Sequence, residues 1–168
     1  TVTLEQWLGP AVRVVRAMPN TPALVGAGIT AICGGRRATA ADLAMADTLL
    51  RAVGAVLQVN EPDMDAVTAV SGSGPAYVFY FMEALMKGAQ QLGLSPAVAR
   101  QLVLGTLAGA TKLADQSDVG PEVLRERVTS KGGTTAAALE VVKARQVAEA
   151  WMEALAAAQR RSVELSKG

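Results

Sequence analysis

The run Ser130-Lys131-Gly132-Gly133-Thr134-Thr135 places paired glycines and hydroxyls at the head of an apolar segment, which is the chemistry of an anion seat. Adjacent glycines let the backbone turn with φ > 0 and approach a ligand with no Cβ in the way. The following residues, Ala136-Ala137-Ala138-Leu139-Glu140-Val141-Val142, predict a helix whose first amides lack intrahelical acceptors and so attract a carboxylate or phosphate. The same residues also read as a glycine turn with a threonine N-cap, and spacing leaves both readings open. A second element, Val70-Ser71-Gly72-Ser73-Gly74-Pro75-Ala76-Tyr77, predicts a tight turn that presents small hydroxyls and bare amides, with Pro75 near the first turn of a long apolar helix. Their similar chemistry points to a shared cleft, which spacing by itself does not establish.

Composition removes several alternatives. The 168 residues contain no histidine, which excludes imidazole acid–base catalysis, Ser-His triads and histidine metal sites, and no metal is expected. Cys33 is the single cysteine and sits in the apolar run Gly28-Ile29-Thr30-Ala31-Ile32-Cys33, so it reads as a buried strand thiol. With 16 basic and 15 acidic residues, no long runs of either sign and a net charge of +1, neither nucleic acid nor an anionic membrane is an expected partner. No stretch approaches the ~18 uninterrupted apolar residues of a membrane span, and no signal peptide is recognisable, so a cytoplasmic location is expected. A hydrophobic fraction of 51% is high for such a chain and calls for a partner surface.

Several elements must position these residues. Residues 12–17 and 28–33 are β-branched apolar runs bounded by Pro19, Pro22, Gly34 and Gly35, and predict buried strands. Thr39 predicts an N-cap with Asp42 three residues on, followed by a helix with Leu43, Ala46, Leu49, Leu50 and Val53 inward as far as Gly54, and then a strand over 55–59. Strand, strand, helix, strand is the tail of a doubly wound α/β domain, and Asn60-Glu61-Pro62 marks a change of composition. Beyond it glycine-bearing breaks divide the chain into roughly six helices. Residues 77–82 are apolar on all sides and predict a helix buried around its circumference. Gly105 and Gly109 give another helix a flat stripe for close helix approach, and the last helix, 144–166, is amphipathic with Trp151 on its apolar stripe.

Taken together, Met18-Pro19-Asn20-Thr21-Pro22, the run 67–77 and the run 128–139 resemble pyrroline-5-carboxylate reductase in order and interval, over essentially the whole chain. The resemblance implies an α/β remnant of a Rossmann-type domain at 1–60, followed by a mainly α-helical dimerisation and substrate-binding domain at 61–168. Family members begin with a strand, a Gly-x-Gly-x-x-(Gly or Ala) turn and a helix that hold the dinucleotide. This chain instead opens on Thr1-Val2-Thr3-Leu4-Glu5-Gln6-Trp7-Leu8-Gly9, a short predicted helix, so it is expected to be the C-terminal part of a longer enzyme, inactive alone.

The implied reaction is reduction of the cyclic imine 1-pyrroline-5-carboxylate to L-proline with NADPH or NADH. Residues that select between the two cofactors are not in this sequence. By resemblance, Gly132, Gly133, Thr134 and Thr135 hold the substrate carboxylate, with Lys131 standing where many members have proline. Thr68, Ser71 and Ser73 lie near the ring, Thr68 as the catalytic candidate that orients an already protonated imine; its alternative is a helix hydroxyl bonded to the preceding turn. Glu61 matches a substrate contact able to balance the iminium charge, or else is a charge at a helix start. Asn20 and Thr21 match residues near the nicotinamide, consistent with ligands at the carboxyl ends of parallel strands, or else form a proline-bounded turn; Arg127 falls where a cofactor-contacting polar residue is expected, reaching a phosphate or else covering a helix face. A homodimer or higher oligomer is implied, with interleaved C-terminal helices and a cleft drawing on both chains. Two alternatives remain: a noncatalytic helical dimerisation module, and a reductase of a related cyclic imine acid.

Overall fold

A computed structural model describes residues 1–9 and 11–166. It begins with helix α1 (Val2–Leu8), then a three-stranded sheet of β1 (Val15–Met18), β2 (Gly28–Gly34) and β3 (Gly54–Gln58) in the order β1-β2-β3. β1 pairs antiparallel with β2, Val15 opposite Gly34 and Met18 opposite Ala31, while β2 and β3 run parallel with Gly28 opposite Gly54. Central β2 carries the buried Thr30, Ala31, Ile32 and Cys33, as its uninterrupted apolar sequence requires of a strand covered on both faces. Helix α2 (Ala40–Leu50) connects β2 to β3 and starts with a complete capping box: the Thr39 amide donates to Asp42 Oδ2 at 2.8 Å and the Asp42 amide to Thr39 Oγ1 at 3.3 Å. The inward stripe is narrower than expected. Leu43, Ala46 and Leu50 are half-buried, but Leu49 is 68% exposed because its position on the 3.6-residue period turns it away from the sheet.

After β3 an Asn60–Asp63 capping box opens a tight helical turn, Glu61–Asp63, that leads into α3 (Met64–Val67), a π-helical turn (Thr68–Gly72) and α4 (Gly74–Gln91). Met64 is fully buried against Ala31 and Cys33, with Met18, Val59 and Val67 around them. Four further helices follow: α5 (Pro96–Asp115), α6 (Pro121–Arg127), α7 (Thr134–Ala144) and α8 (Val147–Ser166). By compactness the chain forms two units, residues 1–77 with 153 onward, and residues 78–152. The change of composition at Asn60-Glu61-Pro62 thus lies inside the first unit, where Ser162 of α8 also donates to Asp65 at 2.6 Å.

The second unit has little core of its own. Ala99 and Val103 on α5 are its buried apolar residues among those described, and Gly105 and Gly109 face open space. The expectation that α4 is buried all round does not hold for the single chain: Phe79 is 61% and Tyr80 68% exposed, with Val78, Phe81 and Leu85 also at the surface. The sequence is apolar enough for burial, but nothing among the described residues covers that face. Among the described residues no helix is long and apolar enough to cross a membrane.

Candidate functional site

β1 delivers the first group of candidates. After Met18, Asn20 takes an extended backbone and heads a short 3-10 turn, Thr21–Val25, that reverses the chain into β2. Asn20 Oδ1 accepts from the Ile29 amide at 3.0 Å, closing this connection and leaving the side-chain NH2 as a donor. Because β1 is antiparallel to β2, Asn20 and Thr21 stand at the amino ends of the β2–β3 parallel pair. The expected placement at carboxyl ends therefore does not apply to the strands of this sheet.

The second group corrects an expectation. Residues 70–77 do not form a tight turn with bare amides, since the chain stays helical through them except for a bend at Ser73. The Ser73 amide donates to the Thr68 carbonyl at 2.9 Å, five residues back, and the Ala76 amide to the Ser73 carbonyl at 3.0 Å. Such π-turns recur at functional sites, where the extra residue re-aims the side chains around it. Here the Thr68 hydroxyl donates to the Met64 carbonyl at 2.9 Å and the Ser71 hydroxyl to the Val67 carbonyl at 3.2 Å. With their protons so engaged, both oxygens present lone pairs outward as acceptors. Gly72 abuts Met18: a Cβ built on it would lie 2.5 Å from Met18 Cε. The strand that ends at Asn20 and Thr21 and the turn that carries Thr68, Ser71 and Ser73 are therefore in direct contact.

Glu61 is engaged within the protein. Its Oε1 accepts from Arg16 Nη1 at 2.8 Å and from the Thr1 amino group at 2.6 Å, and its Oε2 from the Cys33 thiol at 3.1 Å. Burial alone would raise its pKa, but these donors outweigh burial and hold the Glu61 carboxyl below its ordinary value. The Cys33 thiol, 2% exposed, is pushed up to about 11 by burial and then by the neighbouring carboxylate, which makes it a poor nucleophile and agrees with its reading as a buried strand thiol. Sequence reasoning missed Arg16 and Met18 as part of this arrangement. The available signal was a charged residue inside an apolar strand, which demands a partner.

In the second unit, α7 starts at a glycine turn. Gly132 has φ +73°, a left-handed conformation that costs a residue with a Cβ, and the Gly133 amide donates to the Ser130 carbonyl at 3.0 Å. Gly133, with φ −79° and ψ 173°, is the N-cap, and no side chain caps the helix. The threonine-cap alternative is thus not what forms: Thr134 and Thr135 are the first helical residues, and with Ala136 they hold amides without intrahelical acceptors. Thr134 and Lys131 are exposed and Thr135 half-buried. Arg127 is the exposed last residue of α6, where its charge also complements the negative end of the helix.

These features define a class: strands and a helix in the order of a doubly wound α/β domain, passing at a π-turn into helices, one of which opens on an uncapped diglycine turn. The family model for the pyrroline-5-carboxylate reductase dimerisation domain matches residues 61–165. Over 154 residues the chain is 47% identical to the pyrroline-5-carboxylate reductase of Synechocystis sp., covering 92% of this chain and 58% of that protein. Against that of Pseudomonas aeruginosa it is 46% identical over 166 residues, with 98% and 61% covered. Among solved structures it is similar to the Coxiella burnetii pyrroline-5-carboxylate reductase (TM-score 0.93, 42% identity, 98% of this chain and 62% of that one). It is also similar to the Plasmodium falciparum pyrroline carboxylate reductase with NADP bound (TM-score 0.91, 34% identity, 96% and 65%). The chain belongs to the pyrroline-5-carboxylate reductase family, and it spans about three fifths of the length of these curated relatives.

Proposed function

We propose that this chain supplies the substrate-binding and subunit-joining part of a reductase that converts 1-pyrroline-5-carboxylate to L-proline. The observation that carries the reading is the uncapped, diglycine-headed start of α7, whose free amides suit a carboxylate, in a chain of this family. The amides and hydroxyls of the 132–135 turn suit the substrate carboxylate, and the turn of Thr68, Ser71 and Ser73 suits its ring, each in its own unit of one chain or of two. Thr68 acts as an acceptor: its proton is committed to the Met64 carbonyl, so its oxygen receives the N–H of an already protonated imine and fixes the C=N plane. Glu61 is left out of the substrate contacts because both its oxygens are engaged.

A bound nicotinamide dinucleotide would supply the hydride for the imine carbon, and the proton already on nitrogen would remain as that of the secondary amine. The residues present fit the nicotinamide end of that cofactor: the Asn20 side chain is fixed through its oxygen and keeps its NH2 for a carboxamide or ribose oxygen, with Thr21 beside it. Arg127 is available to an anionic group. NADPH and NADH remain equal candidates for the partner nucleotide. The exposed face of α4 and the glycines of α5 are covered by a second copy, giving a homodimer or larger homo-oligomer.

The experiment is a steady-state assay of the natural polypeptide that carries this chain, with 1-pyrroline-5-carboxylate and its six-membered analogue, NADPH and NADH, before and after Thr68→Val and Thr68→Ser. Proline formation that drops ~10- to 100-fold in kcat for Thr68→Val and recovers with Thr68→Ser supports the reading. Faster turnover of the six-membered ring points to a related imine acid. No turnover with either ring leaves a dimerisation module.

A further inference from the structure

Arg16 and Met18 are alternate residues of β1, on one face of the strand and about 6.6 Å apart along it. Each grips one end of the segment that holds Thr68 and Ser71. Arg16 binds the Glu61 carboxylate at the start of that segment, and Met18 packs on Gly72 at its end. Between these points Met64 is fully buried against Ala31 and Cys33 of β2, and Cys33 donates to the second oxygen of Glu61. β1 then runs straight into Asn20 and Thr21. One short strand is thus attached both to the turn assigned above to the imine and to the residues assigned to the nicotinamide.

We propose that the Arg16–Glu61 pair, together with the Met18–Gly72 contact, is a positioning device that fixes Thr68 and Ser71 relative to Asn20 and Thr21, so that imine carbon and hydride donor meet at reacting distance. This rests on the reductase reading for its catalytic consequence. A misplacement of about 1 Å at a reacting pair lowers turnover far more than it lowers affinity, so the pair acts on kcat. A Glu61 that touched substrate would act chiefly on KM. The carboxylate stays ionised through the neutral range because its donors hold its pKa down, which keeps the clamp charged at working pH.

The test uses the natural polypeptide carrying this chain, with Arg16→Met, Glu61→Met, the double variant and Arg16→Lys. Steady-state kinetics are read alongside amide hydrogen exchange over residues 64–73. Expected are kcat losses of roughly 10- to 100-fold in each single variant with KM within about threefold. The double variant is no worse than the worse single, and Arg16→Lys recovers part of the loss. Exchange over 64–73 accelerates while that of β2 does not. Should Arg16→Met fail to fold, Glu61→Gln, which keeps the shape and removes the charge, carries the same comparison. A raised KM with kcat preserved, or unchanged kcat with unchanged exchange, overturns the proposal. If the wild-type protein does not reduce the imine, the reductase reading falls separately; the exchange arm then decides the clamp, accelerated exchange upholding it and unchanged exchange removing it.

Discussion

In the first unit Ala31, Ile32, Cys33, Met64 and Ala69 are at most 2% exposed, whereas in the second Ala99 and Val103 are buried but Phe79, Tyr80 and Leu102 stand more than half exposed. Both regions are rich in apolar residues. Both also expose some, Trp7, Leu24 and Leu49 in the first, but the first unit has a buried cluster between its central strand and the start of the helical run. The helices of the second unit present theirs outward, and full burial of a large apolar side chain stabilises by ~1.5–3 kcal/mol only when something covers it. The first region therefore has a core of its own, and on the proposed reading the second gains its burial from a second copy. The candidate residues divide along the same line, with a tightly held group on the sheet side and an open amide turn on the helical side.

The comparison breaks most visibly at the exposed face of α4. Phe79→Glu puts a charge into the surface assigned to a second copy, and light scattering is expected to show the oligomer reduced to monomer while exchange protection in β2 persists; an unchanged oligomer refutes the assignment of that face. The converse substitution is Met64→Ala in the sheet-side core. It should cost ~2–5 kcal/mol in urea unfolding, as a cavity left among Ala31, Cys33 and Val67 requires, with the oligomer retained in the variant that stays folded. At the amide turn, Gly132→Ala forces a Cβ into φ +73° at a cost of ~1–2 kcal/mol, and it should raise KM for the imine acid more than it changes kcat. The smallest effect is one of pH. Hydrogen bonds from Arg16 and Cys33 favour the ionised Glu61 over the free group's 4.5, so its contribution is complete above pH 4.5 and fades as the pH falls below that value. The stability difference between wild type and Glu61→Gln should accordingly shrink as the pH is lowered there, and a constant difference removes the charge from the argument.

Much of the sheet side was legible in the sequence. The central strand, the Thr39–Asp42 box and the buried thiol follow from local chemistry, which is why they form as read, whereas the run 12–17 is a strand only over Val15–Met18 and is half-exposed because it lies at the edge of the sheet. The π-turn was not legible: glycine and serine at 71–74 signal a break, and what overrides that signal is the packing of Met64 and Val67 below and Gly72 against Met18. The partner of Glu61 was hidden for a similar reason, since an ion pair across 45 positions leaves no mark in local spacing. On the helical side the diglycine turn announced itself, but which residue caps α7 depended on backbone angles that sequence does not print. The outward face of α4 was legible only as excess hydrophobicity, without its direction.

The account depends most on the second unit being completed by another copy of the chain before the site can work. Its most direct test follows imine reduction and light scattering in the same samples of the natural polypeptide across a dilution series. The account predicts a dimer or larger species whose turnover per chain falls in step with dissociation. A monomer that retains full turnover at every dilution would contradict it.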